Sequence, residues 1–431
     1  MDIRGKLVNE NYIPRILDRR IFEDIHDFGA VCIEGPKYCG KTWTGRSLCN
    51  SEISLLEPEG AFQNRELAQI APDQILKGAH PRLIDEWQEV PTLWDAVRND
   101  IDRSGKQDTF ILTGSAVPRE EKPYHSGVGR IEKIRMRPMT LSESGVSNNE
   151  VSLRTLFEGA NPQANAPETT LDDICSFVVR GGWPAVQDLE LHRAARLARN
   201  YIQQIAADDL SRVDGIARDP QKVQRLMHSL ARNTEQATTT KTMIRDMTAE
   251  ASGETLSKET TDDYLQALKR VFVIEEIPAW SPNIRSSIRI NKRPKYHYVD
   301  PSLPAAILGA TPQKLLMDMK TLGFLFECLC MRDLLVYAEV AESRIYYFRD
   351  KTDLEVDAII ESYDGTWAAL EIKLGHNQAD QAAKNLIQLK NKLIASGTQP
   401  PAFLAIIEGL GAYAYQREDG VFVIPITCLA P

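Results

Sequence analysis

Between Val31 and Leu48 the chain reads "VCIEGPKYCGKTWTGRSL", an apolar run that meets Gly35, Pro36, Lys37, Tyr38, Cys39, Gly40, Lys41 and Thr42. Two glycines with four residues between them, followed by Lys and Thr, have the spacing of a phosphate-binding loop. The glycines let backbone N–H groups turn toward phosphate oxygens, and a helix starting there adds its positive end. Lys41 would reach the terminal phosphates and the Thr42 hydroxyl would hold Mg²⁺, so the chemistry expected is binding of ATP with Mg²⁺. A plain Gly-rich turn is the alternative.

Further along, "HPRLIDEWQEVP" buries Leu83 and Ile84 and then presents Asp85 and Glu86. Asp85 would hold the Mg²⁺ shell, and Glu86 would orient and polarise an attacking water. A third run, "QDTFILTGSAVP", sets Thr113 and Ser115 past its apolar residues, where one hydroxyl could sense the terminal phosphate or simply satisfy the backbone. Cys39, at a helix start, is either a redox-sensitive thiol or a small packed residue.

A second constellation lies near the C-terminus. In "WAALEIKLG", Glu371 and Lys373 stand two apart and share a strand face; Asp357 in "LEVDAIIE" can meet them from the preceding strand. Carboxylates can hold Mg²⁺ against a phosphodiester while a lysine orients water. A strand of alternating charge is the alternative.

These residues need strands that end in loops and helices that follow them. The 431 residues exceed one ordinary core and call for three or four domains. The formal net charge of −9 argues against a protein that coats nucleic acid throughout, so any such contact needs a local basic patch. Seven cysteines with no CxxC pair read as reduced thiols rather than a metal framework. The first residues lack a signal-peptide core, and no apolar run approaches bilayer length, so a soluble cytoplasmic protein with no membrane partner is expected.

The segments "YIPRIL", "EGPKYCGKT", "RLIDEWQEVP", "FILTGSA" and "GVGRIEKIRMRPMTLSE", with "RGGWPAV" and "YIQQIAADDL" further on, resemble in this order a family of bacterial and archaeal AAA-type P-loop ATPases that carry a C-terminal domain of unknown function. The resemblance covers nearly the whole chain. It implies an ATPase domain and places Gly129 and Arg130 in an element where Arg130 contacts nucleotide from its own or a neighbouring subunit; a surface ion pair is the other reading. Tyr38, Cys39 and Trp43 depart from the smaller residues common in the family. The C-terminal order resembles the PD-(D/E)XK nuclease-like fold, with Asp357, Glu371 and Lys373 on its signature and Glu327 on its helical acid.

Between these ends, residues 148–168 are rich in Asn, Pro, Ala and Gly and read as an insertion or linker. Residues 171–216 follow a helical pattern. From Pro220 to Trp280, helix, turn, helix, turn, helix and strand suit a winged helix. Its third helix opens with Asp262 and Asp263, which repel phosphates, so a protein-contacting module is favoured over a DNA reader. "NIRSSIRINKRPKYHYVD" is a basic patch with Arg285, Arg289, Lys292, Arg293 and Lys295, and with Tyr296 and Tyr298 for stacking; nucleic-acid binding and a solvated hairpin fit it equally.

The expected fold is α/β: an AAA-type ATPase core over 1–147, a linker and helical lid over 148–216, a winged-helix-like module over 217–300, and a restriction-endonuclease-like domain over 301–431. Two functions follow. One is an ATP-hydrolysing switch whose C-terminal domain binds or cuts DNA or RNA. The other is an ATP-driven regulator of protein partners or of a homo-oligomer, with the later domains as docking surfaces.

Overall fold

The structure, a computed structural model, describes residues 5–7, 9–56, 60–118, 126–249, 257–283, 285–286, 289 and 292–431. The chain divides into two compact units. The first holds Met1–Pro138 with Asp208–Ala217 and Ala267–Val273; the second holds Met139–Ala207, Arg218–Gln266 and Ile274–Pro431. Among the described residues no helix is long and apolar enough to cross a membrane. All seven cysteines are free and buried.

In the first unit the order is α1 (Asp18–Phe28), β1 (Ala30–Glu34), α2 (Lys41–Leu48), β2 (Ser51–Ser54), α3 (Ala61–Ile70), α4 (Pro72–Ile75), β3 (Arg82–Asp85), α5 (Leu93–Ser104), β4 (Phe110–Gly114) and β5 (Ile131–Arg135). The strands form one sheet in the order β2-β3-β4-β1-β5, every pair parallel. β1, β3 and β4 are buried at every position, which explains the adjacent apolar residues at their centres: helices cover both faces of such a sheet. Trp87, Trp94, Val97 and Ile101 pack with Ala30, Cys32, Ile84 and Phe110 in its core. The C-terminal ends of β1, β3 and β4 therefore lie side by side, where an open parallel sheet binds its ligands.

The second unit begins with β6 (Val151–Ser152), α6 (Leu153–Phe157), β7 (Ala164–Asn165), α7 (Leu171–Arg180) and α8 (Leu191–Gln204). After the short α9 (Leu210–Arg212), which groups with the first unit, come α10 (Pro220–Arg232), α11 (Thr240–Ala249), α12 (Lys258–Arg270), β8 (Ile274–Ile277) and β9 (Lys295–Tyr298). The turn expected after α11 falls on 250–256, outside the described residues. β8 and β9 pair antiparallel. Next follow α13 (Ser302–Ile307), α14 (Pro312–Met317), α15 (Met319–Val340), β10 (Ser343–Arg349), β11 (Glu355–Ser362), β12 (Trp367–Lys373), α16 (Ala379–Ala395), β13 (Leu404–Glu408), β14 (Tyr413–Gln416), β15 (Phe422–Pro425) and β16 (Leu429–Ala430). Seven strands form a mixed sheet in the order β10-β11-β12-β13-β15-β14-β7. α16 is the crossover that parallel β12 and β13 require, and its Leu386, Leu389 and Leu393 pack on Ile359, Trp367 and Ile406.

Residues 148–168 are not a free linker. β6 pairs with β16, and β7 is the edge strand against β14. Two-residue strands have no periodicity to read, and their partners lie far along the chain. The "RGGWPAV" segment is held by buried charge: Gly182 N donates to Asp300 Oδ2 at 2.8 Å, and Arg332 binds Asp300 and Asp333 at 3.1 and 2.7 Å. A Cβ on Gly182 would meet the Met139 carbonyl at 2.0 Å, so only glycine fits there.

Candidate functional site

The phosphate loop leaves β1 and enters α2. A Cβ on Gly35 would stand 2.1 Å from the Met136 carbonyl, and Gly40 has φ 107°, so both glycines are required by the backbone. Tyr38 is also left-handed, at φ 66°, in the manner of a strained functional turn, and its ring is exposed. Lys41 is buried and donates to the Pro36 carbonyl at 2.8 Å. Lys37 pairs with Asp209 at 2.6 Å. Cys39 is fully buried with its thiol toward the Met136 carbonyl, which suits packing rather than redox sensing.

The N-terminal "YIPR" stretch braces this loop, a role the sequence did not disclose. Buried Arg15 donates to the carbonyls of Cys39 and Arg137 at 2.7 and 2.8 Å. Tyr12 bridges Asp18 and Thr44 at 2.6 and 3.0 Å.

Across the loop, the Thr42 hydroxyl donates to Asp85 Oδ1 at 2.8 Å, and Thr113 donates to the same oxygen at 2.5 Å. Burial lifts the Asp85 carboxyl above its ordinary range, offset in part by these hydroxyls. A hydroxyl beside a carboxylate is an oxygen donor set that suits Mg²⁺. Glu86 has φ 60°, and its N–H donates to Thr113 at 3.2 Å. Its carboxylate accepts from Ser115 Oγ at 2.8 Å and from the Gln88 amide. Thr113 thus ties Asp85 to Glu86, and Ser115 faces the acid.

Arg130 lies elsewhere. Its carbonyl accepts from Ala30 N, at the start of β1, so β1's length of about 13 Å separates it from its own phosphate loop. Its guanidinium is half exposed and pairs with Asp102 at 2.6 Å. Strand direction thus sets Arg130 at the end of the sheet opposite its own phosphate loop.

In the second unit β12 presents Glu371 and Lys373 on one face. Lys373 Nζ lies 2.5 Å from Glu371 and 3.0 Å from Asp357, and Ile372 N donates to Asp357 at 2.8 Å. Glu327, on α15, joins through a lysine that sequence reading assigned to the basic patch: buried Lys295 lies 3.4 Å from Glu327 and 3.0 Å from Glu355. Asn385 on α16 reaches Glu371 at 3.3 Å. Burial, with Asp357 nearby, pushes Glu371 up to about 8, and burial raises Glu327 well above the carboxylate range. Against burial, Lys373 and Lys295 hold Asp357 low. Four carboxyl groups face two ammoniums, and a divalent cation bound there would take the place of the protons that burial holds on Glu371 and Glu327.

The basic patch is largely consumed inside the unit. Arg289 grips Glu361 at 2.7 and 2.9 Å, Lys295 is buried as above, and Lys292 donates to the Arg349 carbonyl. Tyr298 is fully buried with its hydroxyl on the Met227 carbonyl, so it stacks on no base.

Residues 27–145 match the family model described as "AAA domain", residues 171–314 a "Domain of unknown function (DUF8612)" and residues 322–429 a "Domain of unknown function (DUF4143)". The uncharacterised protein Rv2008c of Mycobacterium tuberculosis is 24% identical over 345 residues, covering 79% of this chain and 70% of that protein; Mb2031c of Mycobacterium bovis matches equally. Among solved structures, the Walker-type ATPase PABY2304 of Pyrococcus abyssi aligns with TM-score 0.44 and 14% identity, over 71% of this chain and 99% of that one. The chain thus carries an ATPase-like AAA domain of P-loop type.

Proposed function

We propose that the chain is a Mg²⁺-dependent ATP hydrolase that acts as a switch for a nuclease-like C-terminal unit. The observation that carries the ATPase reading is the Thr42 hydroxyl held 2.8 Å from Asp85 at the mouth of the phosphate loop. Lys41 would turn from the Pro36 carbonyl to the terminal phosphates. Mg²⁺, held by Thr42 and Asp85, supplies charge neutralisation on the phosphate oxygens. Glu86 is placed to accept the proton of the attacking water as its oxygen bonds the γ-phosphorus and ADP leaves.

The nuclease part is supported by the meeting of Asp357, Glu371, Lys373 and Glu327 on one side of a mixed sheet. The helices α10 to α12 with the β8–β9 pair suit a winged-helix-like module that makes protein contacts: Asp263 at the third helix is bound to Arg218 at 3.0 Å, and Asp262 accepts from Thr240. Arg130, half exposed at the sheet's other end, could reach nucleotide only in a neighbouring subunit.

The test is ADP release by the purified chain, with labelled DNA and RNA present or absent. Lys41→Ala should abolish ATP binding, and Glu86→Gln should bind ATP yet turn over about 100-fold slower. Equal rates for Glu86→Gln and parent would overturn the assignment. Failure to cut any nucleic acid under every nucleotide condition would leave the second reading, an ATP-driven regulator whose later modules serve for docking.

A further inference from the structure

Gly323 sits in the second turn of α15, a helix interior where glycine is unfavourable relative to alanine. Crowding does not demand it: no described atom lies within 4 Å of where its Cβ would stand. The φ does not demand it either, since Gly323 is absent from the left-handed glycines. What the missing side chain does leave is room. Gly323 lies one turn before Glu327 on the same helix face, and both line a pocket of about 610 Å³.

The other walls have a particular chemistry. Phe324 and Leu410 are apolar, Lys320 carries an exposed ammonium, Lys373 is held between Asp357 and Glu371, and Asn377 and Gln378 bring exposed amides. A second hollow of about 390 Å³ shares Lys320 and Phe324 and continues past Asn233 and Gln236. An aromatic side chain, amides and an exposed cation together match a nucleobase with its phosphate: a base stacks on an aromatic ring, amides bond its edge, and a lysine takes the backbone. A hollow of small-molecule size cannot admit a duplex, whose bases are stacked inside; it admits a base that is splayed out.

We propose that this pocket seats a nucleotide of single-stranded nucleic acid, with its base toward Phe324 and its phosphate at Lys320, and that Gly323 is the residue that keeps the pocket open. The proposal rests on the nuclease reading of the carboxylate cluster and names its substrate form. The two joined hollows extend the track to a second nucleotide.

The test uses the full chain in EDTA, so that nothing is cut, with fluorescein-labelled oligo(dT), oligo(rU) and a blunt DNA duplex of equal length. The parent should bind the single strands and prefer them to the duplex. Gly323→Leu should weaken single-strand binding about tenfold or more, the worth of one stacked base, while melting no lower than the parent, because leucine favours helix and meets open space. Gly323→Ala should melt higher and bind between the two. Parent-like binding by Gly323→Leu would overturn the pocket while leaving the carboxylate site standing. Equal binding of duplex would overturn the single-strand assignment. A parent that binds none of the three probes would overturn the nuclease reading and the pocket with it. If Gly323→Leu melts lower than the parent, the space is not open, and the claim for Gly323 fails.

Discussion

Ser115 Oγ stands 2.8 Å from Glu86 Oε2 and donates to it, so the acid that would activate water is held by the end of the neighbouring strand. A carboxylate that accepts such a bond is fixed in direction. Ser115→Ala should therefore lower basal ATP turnover about fivefold with unchanged ATP affinity, a bond to a charged group being worth about 1 kcal/mol or more. Steady-state ADP release beside calorimetric titration checks this. Unchanged turnover would discount the bond, and a loss of ATP affinity would instead assign Ser115 to the terminal phosphate.

Arg15 carries the phosphate loop through two carbonyls, those of Cys39 and Arg137. Arg15→Ala leaves both buried acceptors short of a donor, at a cost of about 1–3 kcal/mol each. ATP affinity should drop about tenfold or more, and the first melting transition should fall. Arg15→Lys should not rescue, since one ammonium cannot span two carbonyls as a planar fork does.

The C-terminal cluster has its own metal prediction. Mn²⁺ should bind nucleotide-free protein in this unit, and Lys41→Ala should retain that binding. Replacing Asp357 and Glu371 together by Ala should remove it and leave ATP hydrolysis intact, as read by calorimetry and ADP release. Binding that survives the double replacement would place the ion elsewhere.

Acid sensitivity should arise at Asp350, which accepts from Thr352 Oγ1 at 2.8 Å, Thr352 N at 2.7 Å and Leu354 N at 3.2 Å, and touches Lys392. Against the upward push of burial, these partners hold its carboxyl down to about 2. A depressed folded pKa means stability that is present above the ordinary carboxylate range and is lost as pH falls from about 4 toward 2. Asp350→Asn should lower the melting temperature at pH 7 and flatten its decline across that window. A parallel decline in parent and variant would discount Asp350.

What could be read from sequence was what lies close along the chain. The phosphate loop and the Asp85–Glu86 pair are contiguous, and their spacing fixes backbone geometry. Arg15, Ser115 and Lys295 reach their partners only through tertiary closure. Lys295 in particular reads as one more residue in a basic run, because the acids it meets lie on α15 and β11. Arg130 reads as either a nucleotide contact or a surface ion pair for a different reason: its neighbours in sequence say nothing about which end of a strand it occupies.

The bond from Ser147 Oγ to the Leu429 carbonyl joins residues 282 positions apart, and β6 with β16 closes the same gap. On a ribosome adding about 5–20 residues per second, the earlier partner waits roughly 14–56 s for the later one to be made. Throughout that interval β7 has no β14 to pair with, and the nascent second unit exposes an unfinished sheet edge. Vectorial synthesis thus makes this unit a late folder, whatever its mature stability.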